Sequence, residues 1–420
     1  MKWRNQLLAL FCLVLFAAFG VFYFQHWVVQ KPFGIILFIG EGLTPSRVAA
    51  TRVFAGGADT ALTLDAMPHV ALVRNSSDDF AAPDSGAAAS AISTGIRVHN
   101  RSIGSQSPNL FELARRAGRA TGLVTDGKLT SAVPAAFYVH ASEPATPTEY
   151  ARLLAENSTI DLALGGGAQD FLPQSKGGTR TDARDLLSEI QTKGFDRART
   201  KADLEIIPAW RRPKVFGVFA NAEFAFADQV EARNEQPSLP DMVRRAIELL
   251  QYNRGGYLLV VDARLMRKAA ELNDAEHTLA ETVELDRAVS VARRYAGEKS
   301  TILVCGDVGI GGLHLNGSPF RTDRGIAILG LNSTGDPWLS WATGPHGAKA
   351  YGAAKVAAQQ SPPSNESVIP EPQQEPGAFY ASAALETVED VVVFAAGPSA
   401  ESVHGTIENT TIFKLIRDSL

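Results

Sequence analysis

Five short apolar runs constrain this chain more than any other feature: Phe33–Ile39, Gly122–Thr125, Tyr257–Val261, Thr301–Val304 and Val391–Ala395. Helical patterns alternate with them, at Leu110–Ala117, Pro240–Leu250 and Ala280–Ala296. This alternation predicts an α/β fold built on a mainly parallel sheet. In such sheets, sites form beyond the carboxyl ends of the strands. Four of the runs lead into an acid there: Glu41, Asp126, Asp262 and Asp307. A single acid in such a place is ordinarily a cap or a turn residue. Several on one rim would form a cluster of like charge, which demands a cation or protons.

The first residues behave differently. Lys2 and Arg4 precede an apolar run from Leu7 to Phe24 that continues through Trp27, Val28 and Val29. It exceeds the ~7–15 residues of a cleavable signal core and approaches the ~20 that span a bilayer. Residues 1–31 therefore read as a signal anchor with one transmembrane helix, its basic end inside. Residues 32–420 would then lie outside the cytoplasm, in the periplasm of a Gram-negative cell. Within them, 174–240 and 340–384 read as irregular insertions, the second holding a Pro/Gln/Ser-rich segment at 359–377. A net charge of −5 argues against a nucleic-acid partner. Two cysteines exclude a disulfide framework and any Cys-rich zinc module, whereas eight histidines permit a metal centre only if well placed.

A second motif bears on chemistry. In Ala82-Pro83-Asp84-Ser85-Gly86-Ala87-Ala88-Ala89-Ser90-Ala91, a proline breaks the incoming chain and small, helix-favouring residues follow. Ser85 falls at a helix N-terminus, where free N–H groups and the dipole favour an alkoxide or a phosphoryl oxygen. A plain capping serine on a tightly packed helix fits the same spacing.

Phe33–Gly42, followed by Asp84 through Gly95, closely resembles the alkaline phosphatase family. The likeness continues through Gly122–His140, Leu164–Pro173, Gly178–Leu187, Pro237–Ala296, Thr301–Asp307, Ala327–Gly347 and Leu385–Thr411. The resemblance implies that family's α/β/α sandwich, and hydrolysis of phosphate monoesters through a phosphoserine with two zinc ions and one magnesium. Carried over residue by residue, it gives Ser85 as the nucleophile, Glu41 as the carboxylate bridging zinc and magnesium, and Asp307 as a zinc ligand. It gives Asp262 and Ser131 to the magnesium site, whose other hydroxyl position is Val133. The remaining zinc positions hold Arg267, Glu271, Val308 and Val388, and the phosphate-clamping arginine is replaced by Pro144.

A zinc site wants three or more N, O or S ligands, and every matched zinc histidine is absent. A permanent cation at Arg267 repels a metal by several kcal/mol at short range, even at an effective dielectric of about 20. The oxygens left at Glu41, Ser85 and Asp307 suit a hard ion better than zinc. The expectation is thus no zinc pair, with one Mg or Ca ion as the alternative. Arg267, with Lys268, is expected to neutralise Glu41, Asp262, Glu271 and Asp307 instead. His314 and His346 are the candidates for a relocated ligand. Three readings follow: a membrane-anchored pseudo-phosphatase that binds a phosphorylated or anionic ligand at Ser85, a hydrolase working with one residual ion, or a scaffold. A homodimer is compatible with each.

Overall fold

The computed structural model describes residues 2–23, 33–140, 145–229, 235–317, 319–331, 335–347 and 377–420. Among the described residues there are fifteen strands: β1 (Gly34–Gly40), β2 (His69–Arg74), β3 (Ala120–Lys128), β4 (Leu162–Gly166), β5 (Phe195–Ala198), β6 (Lys214–Val218), β7 (Tyr257–Ala263), β8 (Thr301–Gly306), β9 (Gly309–Ile310), β10 (His314–Leu315), β11 (Leu339–Gly344), β12 (Gly377–Tyr380), β13 (Glu386–Thr387), β14 (Val391–Ala396) and β15 (Gly405–Glu408). Ten form one sheet in the order β15-β2-β14-β8-β1-β7-β3-β4-β6-β5. Within it, β14 alone runs against its neighbours β8 and β2.

The alternation of side chains along β1 explains the layering. Ile35, Leu37 and Ile39 point into one apolar cluster, with the helices Ser85–Thr94, Leu110–Arg116, Pro147–Glu156 and Asn409–Ser419. Ile36 and Phe38 point into another, with Leu239–Leu250, Leu265–Glu271 and Ala275–Ala296. A strand buried on both faces needs this unbroken apolar sequence, which is why its run carries no polar alternation. The result is an α/β/α sandwich. A third cluster, around Val308, Ile310, Leu339 and Trp341, lies under the small sheet β10-β11-β12.

Three expectations need correction. The stretch 174–240 is not irregular: β5, β6 and the helices Leu186–Thr192 and Lys201–Ile206 complete one flank of the main sheet. These elements are short, so their periodicity is weak in sequence. The last long helix begins at Ala275, ahead of the expected Ala280, because the Asp274 side chain accepts the His277 N–H and caps it. In the segment 340–384, β11 and β12 are ordered strands, while 348–376 lies outside the described residues.

The N-terminal helix spans Lys2–Tyr23. Its stretch Trp3–Gly20, 18 residues, is long and apolar enough to cross a membrane, and none of it is buried in the protein.

Candidate functional site

The carboxyl ends of β1, β3, β7 and β8 meet on one edge because their registers align, with Ile39 beside both Asp262 and Cys305, and Thr125 beside Asp262. Glu41 and Asp307 follow directly, and both are almost wholly buried, as is Asp262. Gly42 has φ +88°, and a Cβ there would stand 2.2 Å from Arg47 Nη1, so only glycine lets the chain turn over that buried arginine. The Gly42 N–H donates to Asp307 Oδ1 at 2.8 Å, and the Val308 N–H donates to the same oxygen at 2.6 Å.

Ser85 opens the helix Ser85–Thr94, capped by Asp84, whose side chain accepts the Ala87 N–H. This helix covers one face of the sheet. The opposite face contributes Arg264 and Arg267, at the start of the helix Leu265–Glu271. The two meet at the edge. The Ser85 hydroxyl donates to Asp307 Oδ2 and accepts from Arg267 Nη1 at 2.6 Å, and Glu41 Oε2 stands 3.3 Å away.

Arg267 also donates to Glu271 at 2.7 Å and to Glu386 at 2.8 Å, and lies 3.7 Å from Glu41. Arg264 bridges Glu41, Glu271 and Glu223, each at 3.3 Å. Lys268, the expected second cation, pairs with Glu223 at 3.4 Å and lies over the Phe226 ring. Arg264 thus takes the place given to Lys268. Its position two residues after Asp262 was the available signal. Glu386 and Glu223 were also missed, because only the fold brings them in.

Burial dominates the titration of this cluster. It pushes Glu41 up to about 7, although Arg264 and Arg267 oppose the shift. Asp262 is raised well above the usual carboxylate range by burial and then by Glu41 and Asp126. Asp262 Oδ2 accepts the Thr125 hydroxyl at 2.7 Å, while Oδ1 has no donor. Burial also works against Arg267, yet its carboxylate neighbours hold it above the ordinary arginine range.

The remaining positions of the sequence reading are scattered. Val308 is packed in the third apolar cluster, and Val133 is buried in the core. Val388 is 74% exposed. Ser131 lines the cavity beside Ser85. Pro144 lies outside the described residues. Asp126 is a capping acid, accepting the N–H groups of Arg264 and Leu265. His314 is held by the Gly312 carbonyl, and the His346 N–H faces Asn273. His277 stacks on Phe226 and pairs with Asp274 and Asp228.

A zinc pair does not fit these residues. One ligand position is a methyl-lined wall at Val308, another points to solvent at Val388, and a guanidinium donates from a third. The adjoining cavity, about 420 Å³, is lined by Ser85, Ser131, Arg101, Arg264 and Arg267 among others. The Arg101 N–H donates to Asp84, and its guanidinium makes no ion pair among the described residues.

Similar proteins share the whole frame. The chain is 28% identical over 453 residues to the tissue-nonspecific alkaline phosphatase of Gallus gallus, covering 92% of this chain and 84% of that protein. It is 28% identical over 323 residues to the alkaline phosphatase of Escherichia coli K12, covering 64% of this chain and 68% of that one. Among solved structures, the alkaline phosphatase of the Antarctic bacterium TAB5 superposes with a TM-score of 0.70 at 21% identity, over 93% of this chain and 98% of that one. The Thermus thermophilus alkaline phosphatase gives 0.71 at 21% identity, over 95% and 94%. The alkaline phosphatase family profile matches residues 34–420. With that match, the chain belongs to the alkaline phosphatase family.

Proposed function

We propose that this protein is a membrane-tethered pseudo-phosphatase that binds a phosphorylated or anionic ligand beside Ser85 without a zinc centre. One observation carries the reading: the Arg267 guanidinium donates to Ser85 Oγ at 2.6 Å and to Glu271 at 2.7 Å. A fixed cation therefore stands among the groups that, by the family resemblance, would hold a metal. It supplies the charge balance that the acids require, but not the exchangeable coordination on which a metal-activated nucleophile depends. Arg101, which makes no ion pair among the described residues, lines the cavity and is a cation available to an incoming anion. The exposed apolar helix at Trp3–Gly20 supports the tether, with the family domain on the exoplasmic side.

Retained hydrolysis is the second reading, favoured by the hydrogen bond from the Ser85 hydroxyl to Asp307. Glu41, Asp262 and Asp307, with Ser131 beside them, are then the residues for one magnesium or calcium ion, which would supply Lewis-acid charge. The test is metal analysis of the purified full chain, with turnover of p-nitrophenyl phosphate by wild type and Ser85→Ala, and phosphate binding by calorimetry. The expected result is less than stoichiometric metal, turnover indistinguishable between the two proteins, and phosphate binding weakened about tenfold by Arg101→Ala. Turnover that Ser85→Ala abolishes overturns the proposal.

A further inference from the structure

The amino edge of the main sheet lies opposite the Ser85 site. The parallel strands β1, β3, β6, β7 and β8 all begin there, and β7, with seven residues, sets the two edges about 20 Å apart. The turns that feed these strands are basic. Arg116, Arg212, Arg254, Arg293, Arg294 and Lys299 are all exposed, and none makes an ion pair among the described residues. Acids on this edge are fewer. Asp161 and Asp196 pair with Arg115 and Arg211, and Glu298 sits among Arg293, Arg294 and Lys299. This cationic surface belongs to a chain whose net charge is −5.

Exposed aromatic side chains interleave with the cations. Trp210 is 71% exposed, Tyr252 45% and Tyr295 40%. Trp210 precedes Arg211 and Arg212, Tyr252 lies two residues before Arg254, and Tyr295 follows Arg293 and Arg294. Tryptophan and tyrosine flanked by arginine form the composition that settles at a lipid–water boundary. Two concavities, about 270 and 620 Å³, open on this edge, the first lined by Arg119, Arg212 and Lys214 and the second by Arg293 and Arg294. The chain also enters the sheet here. The Phe33 N–H donates to the Lys299 carbonyl at 2.8 Å, and the Phe33 carbonyl accepts from Tyr257 N–H and Arg119 Nη1. Only nine residues separate Tyr23, the end of the apolar helix, from Phe33. Fully extended, they span about 30–35 Å.

We infer that this edge is a membrane-facing surface that docks on anionic phospholipid headgroups, with the Ser85 cavity turned away from the bilayer. The inference rests on the tether proposed above. Charge complementarity and the aromatic residues argue for a lipid surface rather than a protein, and the short connection to the helix holds the edge within reach of one.

The test is hydrogen exchange of the full chain in nanodiscs of phosphatidylcholine alone and with 30% phosphatidylglycerol. Segments 209–214, 252–256 and 293–299 should exchange more slowly in the anionic discs, by about fivefold or more. Half-molar salt, and the triple variant R254E/R293E/R294E, should remove that difference. Exchange at these segments that is equal in both discs, with residues 3–20 protected, overturns the inference while leaving the tether intact. Unprotected residues 3–20 overturn the tether, and edge protection that persists in anionic discs then supports the surface by itself.

Discussion

The two edges of the main sheet carry charge in opposite ways. On the carboxyl edge, Glu41, Asp262 and Asp307 are buried and held by Arg264, Arg267, Thr125, Ser85 and backbone N–H groups. On the amino edge, Arg116, Arg254 and Arg293 stand in water without ion-pair partners among the described residues. Both edges are written in similar arginine-bearing turns, yet the same residue type does different work. A buried guanidinium is fixed by its acids, so its loss leaves charges stranded in a low dielectric. An exposed guanidinium is solvated, and its field reaches outward to whatever approaches.

This contrast can be attacked directly. Removing a buried cation should do the most damage. Arg267→Ala leaves Glu271 and Glu386 without their shortest partner and should destabilise the fold by about 3–5 kcal/mol, read from urea unfolding. A loss below about 1 kcal/mol would break the comparison.

Next comes pH. Glu41 holds its proton up to about pH 7 in the folded chain, whereas the unfolded chain releases it near 4.5. Between those values the folded state binds more protons, so the contribution of this group is greatest at or below pH 4.5 and falls as pH rises to 7, by about 3 kcal/mol. Urea midpoints for wild type and Glu41→Gln across pH 4.5–8 check this, since the substitution should flatten that part of the profile. Ser85→Ala removes one acceptor from Arg267 and one donor to Asp307, and should cost about 2 kcal/mol by the same unfolding assay. Arg293→Ala, on the amino edge, should change stability by less than about 0.5 kcal/mol. A larger loss there would show that the edge is a structural network rather than a free surface.

Strands β1, β3, β7, β8 and β14 are legible in the sequence because burial on both faces removes polar residues from them. The site is legible only in part. Glu41, Asp262 and Asp307 follow from strand ends, and Ser85 from the proline and small residues around it. Arg264 escapes because its partner Glu41 is 223 positions away, and Glu386 because its strand β13 has two residues and no pattern. Beta strands β5 and β6 escape for a related reason. Both are short: β5 is four residues and only partly buried, and β6 carries Lys214 and Gly217 within its five residues, so neither shows an apolar run.

Arg267 also bears on how the site comes into being. A coordinated ion has to be captured from solution, and it can be lost to a chelator or exchanged for a competitor. A guanidinium is delivered by translation, always ionised and in fixed ratio to its acids. The charge balance that Arg267 provides therefore forms in the same event as the fold. It depends on no metal supply, and a chelator such as EDTA has nothing in that ion pair to remove.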